Sequence, residues 1–206
     1  MKTTKSLWNY LPHTLLILYL LLFIICARNP YDRAVWWAEN IPVMATVIFL
    51  VLTYRKFQFS GLAYGLMSIR IFMHTVGGHY TFEHVPFERF NQLLGFERNM
   101  FDRIAHFAIG FYAFPIAEYL TKKNLTNSKR IIRLFAIFTI FTLASVYEII
   151  EWQYAVLYGG EAGAAFLGFQ GDIRDAQKDM LADGLGAITS IVIFACTSKC
   201  FTKKKE

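Results

Sequence analysis

Acidic residues and a histidine recur at helical spacing in three short motifs of this 206-residue chain. The first motif holds Asp102 and His106, four residues apart, which places both side chains on one face of a helix. A histidine tuned by a neighbouring carboxylate is a frequent general base. The pair is therefore predicted as a catalytic dyad, although Asp102 alone would also suit the positive end of a helix dipole.

The other two motifs supply carboxylates only. Glu148 and Glu151 are three residues apart, and four aspartates follow at spacings of three, four and four, which forms an acidic stripe along one helix face. These aspartates are Asp172, Asp175, Asp179 and Asp183. Carboxylate oxygens suit Mg²⁺, Mn²⁺ or Ca²⁺, and a histidine among the ligands would allow Zn²⁺. The sequence predicts a divalent-cation site formed by both glutamates and by Asp175, Asp179 and Asp183.

The elements that carry these motifs are apolar. Hydrophobic residues make up 55% of the chain and the mean hydropathy is +0.37, both above the values of a soluble domain. Six segments are predicted as the helices of one transmembrane domain: 11–27, 41–54, 59–76, 101–120, 131–153 and 175–196. The predicted fold is an all-α, polytopic helical bundle in a membrane. A five-helix arrangement is the alternative, because the second and third segments are short for a bilayer crossing.

The net charge of +6 is arranged as in a membrane protein and not as in a nucleic-acid-binding domain. With the N-terminus inside, 13 basic residues fall on the inner side and 7 on the outer side, which predicts that both termini are cytoplasmic. The acids show the opposite skew, since only Glu118 and Glu206 fall inside. The three motifs are therefore expected at the outer end of the bundle.

Several other segments carry weaker signals. The first apolar run is expected to remain as a helix, because it lacks the small residues of a signal-peptide cleavage site. Loops are predicted at Asn29-Pro30 and Gly77-Gly78, and a re-entrant or interfacial link at 158–171, where exposed backbone in lipid would be excluded. Three cysteines without metal-type spacing are read as structural: Cys26, Cys196 and Cys200. Three further histidines lie at or after the end of the third helix. His74 ends this helix and is a candidate for the site, whereas His79 and His84 are expected in a polar loop.

Burial is what separates a functional reading from a structural one. An ionised group at the centre of a membrane helix costs about 3 kcal/mol even on a permissive scale. Glu148, Asp179 and Asp183 fall inside apolar helices, so they must face the bundle interior, with protons, basic partners or a metal ion to balance them. Helix capping is sufficient to explain Asp172, and an ion pair of Glu151 with Arg103 is a structural alternative.

The motifs resemble those of the YjdF-type family of bacterial inner-membrane proteins, for which no function is established. The most specific pieces are 97–107, 147–152 and 169–180. The chain is more distantly similar to VanZ-like membrane proteins, which are associated with glycopeptide resistance. Relative to their pattern it has Arg103 for lysine, Glu151 for glutamine and Asp183 for asparagine, which makes its site more acidic. The resemblance implies a multi-pass protein of the bacterial inner membrane.

Three functions are compatible with these observations. The first is a membrane-embedded enzyme that acts, with a bound cation, on a lipid or lipid-linked phosphate. The second is a proton- or cation-coupled transporter, for which intramembrane acids are typical. The third is a scaffold stabilised by a buried ionic network. Membrane lipids are the expected surroundings, and no nucleic-acid partner is expected.

Overall fold

The computed structural model describes residues 10–160 and 170–197, and in this part of the chain every regular element is a helix, without a strand. The helices are α1 (Leu11–Cys26), α2 (Arg33–Thr53), α3 (Gly61–Tyr80), α4 (Glu88–Leu94), α5 (Phe101–Ile109), α6 (Ala113–Lys122), α7 (Lys129–Tyr158) and α8 (Asp175–Thr197). Residues 161–169 of the predicted re-entrant link, and Cys200, lie outside the described residues.

Three of these helices are long and apolar enough to cross a membrane: α2, α7 and α8. Helix α1 is a shorter apolar helix of 16 residues. Large apolar side chains such as Leu52, Leu157 and Val192 remain exposed along these helices, as a lipid-facing surface requires. The chain is therefore a polytopic helical membrane protein, as the composition predicts.

Contacts at the two ends of the bundle show that the segments alternate in direction. At one end, His79 of α3 contacts the carbonyl of Cys26 at the end of α1, and the start of α8 pairs with Arg98 just before α5. At the other end, Glu118 of α6 accepts hydrogen bonds from Ser60, the N-cap of α3. We call the first end the acidic end.

The second helix starts earlier than predicted. Helix α2 begins at Arg33 rather than at residue 41, and Asp32 caps it by accepting hydrogen bonds from the backbone of Ala34 and Val35. Glu39 and Asn40 interrupt the apolar pattern and so resemble a helix boundary. In the structure both are buried against α3, with exposures of 2% and 0%. The predicted start at residue 41 is therefore wrong, because polar residues that face the interior of the bundle were taken for the end of the helix.

The predicted loop at Gly77-Gly78 is also wrong, because both glycines belong to α3, which continues to Tyr80. A Cβ on Gly78 would lie 2.7 Å from Nδ2 of Asn40, so the missing side chain is what allows α2 to approach α3 here. His79 is consequently a helical residue and not part of a polar loop. Its Nδ1 lies 2.8 Å from the carbonyl oxygen of Cys26.

The predicted fourth helix is divided. A 3-10 turn at Gly110–Tyr112 separates α5 from α6, and the two pieces together span the predicted segment. The fifth predicted helix ends too early, since α7 continues to Tyr158, where Tyr154 and Tyr158 stack with ring centroids 4.4 Å apart. Helix α4, at the acidic end, was not predicted. The main core joins α3, α6, α7 and α8 around Phe114, Ile140 and Ala187.

Candidate functional site

The site depends on a close crossing between the α5–α6 segment and α8. Gly110 lies four residues after His106, and Gly186 lies three residues after Asp183. A Cβ on Gly110 would collide with the backbone at Gly186 and Ala187, and one on Gly186 would collide with the carbonyl of Phe107. Helices that approach this closely at glycine bring the neighbouring turns into contact. The turns brought together here are those that carry His106 and Asp183.

His106 is the centre of a buried group of aspartates. Its Nδ1 lies 3.3 Å from Oδ2 of Asp183, and its Nε2 lies 3.7 Å from Oδ1 of Asp102 and 3.9 Å from Oδ1 of Asp179. All four side chains are buried. Ligand atoms of Asp102, His106 and Asp179 all lie within 4.8 Å of one another. The predicted dyad and the acidic stripe therefore meet at one point.

Two arginines hold the first turn of α8. Arg98 donates a hydrogen bond of 2.6 Å to Oδ1 of Asp175, and Arg103 donates to the same oxygen. Arg103 also forms an ion pair with Asp179, 2.7 Å between Nη1 and Oδ1. Asp175 is thus largely neutralised by side chains of the protein. Arg103 pairs with these aspartates of α8, and not with Glu151 as the structural alternative supposed.

The glutamates of α7 line another side of the same interior. Glu151 is buried, and Oε1 of the partly buried Glu148 has no hydrogen-bond partner among the described residues. Both carboxylates lie within electrostatic reach of Asp102. The structure gives neither of them the short contacts that join His106 to the aspartates.

A second buried group, which the three sequence motifs do not indicate, joins α2, α3 and α7. Nε2 of His74 lies 2.9 Å from Oε2 of Glu39, and the hydroxyl of Tyr147 donates a hydrogen bond of 2.9 Å to the same oxygen. His74 therefore pairs with Glu39 instead of joining His106. The sequence signal for Glu39 is an acidic residue within an apolar segment. The second helix was predicted to start at residue 41, so Glu39 was assigned to the preceding loop.

The two ends of the aspartate stripe differ in role. Oδ1 of Asp172 accepts a hydrogen bond from the backbone of Arg174 just before α8, and Lys178 lies 2.5 Å from its Oδ2. The hydrogen bond from Lys178 lowers the pKa of Asp172. Asp172 thus serves the start of the helix. Asp183, two turns inside α8, is fully buried, and its Oδ1 has no hydrogen-bond partner in the described part of the chain.

Carboxylates exceed basic groups around this interior. Within the described residues it holds seven buried or partly buried carboxylates: Glu39, Asp102, Glu148, Glu151, Asp175, Asp179 and Asp183. The basic groups there are Arg70, Arg98, Arg103, His74 and His106. Even with both histidines protonated, two carboxylates remain unbalanced. Such a surplus requires bound protons or a cation.

Fold and site together define a multi-pass helical membrane protein with a buried Asp–His cluster. The family model described as "Predicted membrane protein (DUF2238)" matches residues 11–199, and the chain belongs to this family. It is 31% identical over 195 residues to the inner membrane protein YjdF of Escherichia coli (strain K12). The aligned region covers 93% of this chain and 92% of that protein. No solved structure gives a significant match. The relative's name places it in the inner membrane, and the apolar helices support the same location for this chain.

Proposed function

We propose that Asp102, His106 and Asp179 bind a divalent cation and that the protein is a membrane-embedded enzyme acting on a lipid or lipid-linked phosphate. The observation that carries the proposal is the convergence of three buried ligand atoms within 4.8 Å. Ligands that lie about 2.0–2.2 Å from a shared ion are separated by about 3–4 Å, so this group needs only small adjustments to close on one.

The surroundings of His106 support a metal-ligand role. Histidine ligands usually donate their second ring N–H to a carboxylate, which fixes the tautomer and the ring orientation. Asp183 is placed to accept such a bond, 3.3 Å from Nδ1, while Nε2 faces Asp102 and Asp179. Mixed nitrogen and oxygen donors favour Mn²⁺ or Zn²⁺ over Mg²⁺ and Ca²⁺. Glu148 and Glu151 would then lie near the three ligands without binding the ion directly, and Asp175 would position Arg103.

A bound cation would polarise a phosphate oxygen and lower the pKa of a bound water. The protein's own residues would orient these groups: Asp183 fixes His106, and Arg103 holds Asp179 in place. Phosphate is the favoured substrate group, since a buried acidic site attracts an anion only when a cation intervenes. The exposed apolar faces of α7 and α8 would let a lipid substrate approach these helices from the bilayer.

Metal content and lipid chemistry test the two parts of the proposal separately. Protein purified in detergent and incubated with Mn²⁺ or Zn²⁺ is expected to retain about one ion per chain by elemental analysis. Asp102→Asn and Asp179→Asn should lose it. Asp32→Asn is the matched control, because asparagine also caps helices and Asp32 lies at the start of α2. If the wild type retained no more metal than the two variants, the cation site would be refuted.

For the enzymatic part, wild type and Asp179→Asn are incubated with a membrane lipid extract and metal, and the lipids are compared by mass spectrometry. A metal-dependent loss of a phosphate-bearing lipid in the wild type alone is expected. If metal is bound but no lipid changes, the enzymatic part is wrong. Metal-dependent ion flux in proteoliposomes, abolished by Asp179→Asn, would then assign the same site to a transporter.

A further inference from the structure

Arg70 is a buried arginine that neither the sequence motifs nor the cation site accounts for. It lies in the middle of α3 and is 7% exposed. Its guanidinium is within electrostatic reach of Asp102 on α5, Tyr112 in the 3-10 turn and Tyr147 on α7. The side chain therefore faces the interior where α3, α5 and α7 meet, on the α3 side of the cation ligands.

One buried donor group of Arg70 has no acceptor among the described residues. Its Nη1 is shielded from solvent and has no acceptor within 10–160 and 170–197. The neighbouring acids are already engaged: Glu39 with His74 and Tyr147, and Asp102 with His106 at 3.7 Å. An arginine side chain keeps its charge in proteins and carries five hydrogen-bond donors. A buried donor without an acceptor is unfavourable, because it has lost its hydrogen bond to water and gained none in the protein. Such an arginine is typical of a site whose acceptor arrives with a ligand.

We propose that Arg70 binds an oxygen of a phosphate monoester placed beside the cation of Asp102, His106 and Asp179. This inference rests on the proposed function, because the cation offsets the repulsion that the surrounding carboxylates exert on a phosphate. The planar guanidinium matches two phosphate oxygens at once, which a lysine does not. Arg70 and the cation would bind the same group from two sides, the arrangement that stabilises charge on phosphoryl oxygens.

A terminal phosphate group has two sources here, the headgroup of a phosphomonoester lipid and free inorganic phosphate. Binding is measured by microscale thermophoresis on detergent-purified protein loaded with Mn²⁺, with inorganic phosphate and with dioctanoyl phosphatidic acid as probes. Dioctanoyl phosphatidylcholine, a diester, is the probe that should not bind. Binding of both inorganic phosphate and phosphatidic acid would show that the phosphate group is sufficient. Binding of phosphatidic acid alone would show that the lipid source is required.

Arg70→Gln is expected to weaken monoester binding about tenfold or more, the effect of losing one charge-assisted hydrogen bond. Arg70→Lys keeps the charge but loses the paired donors, so it should also bind more weakly than the wild type. Arg89→Gln on the exposed surface of α4 is the matched control and should bind as the wild type does. If Arg70→Gln does not fold, Arg70→Lys decides. Unchanged binding by a folded Arg70 variant would overturn the proposal.

Manganese content is measured on the same samples, which separates this proposal from the cation site. Wild type that retains Mn²⁺ but binds neither inorganic phosphate nor phosphatidic acid refutes the role of Arg70 and leaves the cation site in place. Wild type that binds a monoester through Arg70 without any metal refutes the cation site and supports the role of Arg70. Arg70→Gln should still retain Mn²⁺, because Arg70 is not among the cation ligands.

Discussion

Nδ1 of His106 on α5 lies 3.3 Å from Oδ2 of Asp183 on α8, and both side chains are buried. This contact joins two helices through residues 77 positions apart in the chain. It fixes the direction in which the other ring nitrogen points, toward Asp102 and Asp179. The contact is thus the structural basis for the ligand role proposed for His106.

Asp183→Asn is expected to weaken Mn²⁺ binding about 10- to 100-fold, because the amide no longer holds His106 in the ligating tautomer. Isothermal titration of the detergent-purified variant measures the change. Asp32→Asn, which alters the carboxylate that caps α2 and is not among the proposed ligands, should bind as the wild type does. Equal affinities for Asp183→Asn and wild type would contradict the positioning role of Asp183.

Arg103→Gln is expected to destabilise the protein by about 3–5 kcal/mol, since it leaves Asp175 and Asp179 buried with less compensation. Thermal unfolding in detergent provides the measurement. Arg89→Gln, an exposed change on α4, should have little effect. Addition of Asp175→Asn to Arg103→Gln should restore part of the loss, because fewer uncompensated carboxylates remain. A double variant less stable than the sum of the single changes would speak against this ion pair.

Gly186→Ala is expected to lower stability by about 1–3 kcal/mol, because the new Cβ meets the backbone of α5 at Phe107 and rigid backbone cannot yield. Gly65→Ala is the matched control. Apart from its chain neighbours and the backbone of α3 itself, no described atom lies within 4 Å of its new Cβ, so the change should be neutral or stabilising by up to about 1 kcal/mol through helix propensity. Both variants are compared by thermal unfolding. Similar behaviour of the two would rule out a close crossing at Gly186.

Glu118→Gln is expected to cost about 1–3 kcal/mol at the opposite end of the bundle. The fully buried carboxylate accepts hydrogen bonds of 2.7 Å from both the backbone and the hydroxyl of Ser60, and it pairs with Lys122. The amide retains one acceptor oxygen but loses the charge. Glu88→Gln, at an exposed position of α4, is the control for thermal unfolding. Metal binding should be the same in both variants, because Glu118 lies away from the acidic end.

Helical periodicity in the sequence was sufficient to place the three motifs on helices. The spacing of Asp102 and His106, and of Asp175, Asp179 and Asp183, puts each set on one helix face, and the structure has both sets facing the interior. The helix boundaries were less accurate where polar residues lie inside a helix. Glu39 and Gly77-Gly78 resemble loop residues in the sequence but are buried between α2 and α3.

Pairing between helices was not predictable from the sequence. Asp175 and Asp179 have the same type, the same face and neighbouring turns. Asp175 nevertheless meets two arginines, whereas Asp179 meets only Arg103 among the described residues and also lies near His106. The availability of each carboxylate for a ligand depends on the positions of Arg98 and Arg103, which are distant from both aspartates in the chain.

The sequence by itself determined that this is an apolar, multi-pass helical protein and that an acidic stripe and an Asp–His pair line helix faces, because hydropathy and periodicity are local properties. The tertiary structure decided which carboxylates surround His106, which are neutralised by arginine, and that Arg70 faces the same interior. These results depend on helices brought together by the glycine crossing at Gly110 and Gly186. Helix packing is set by contacts between distant residues, which local spacing does not encode.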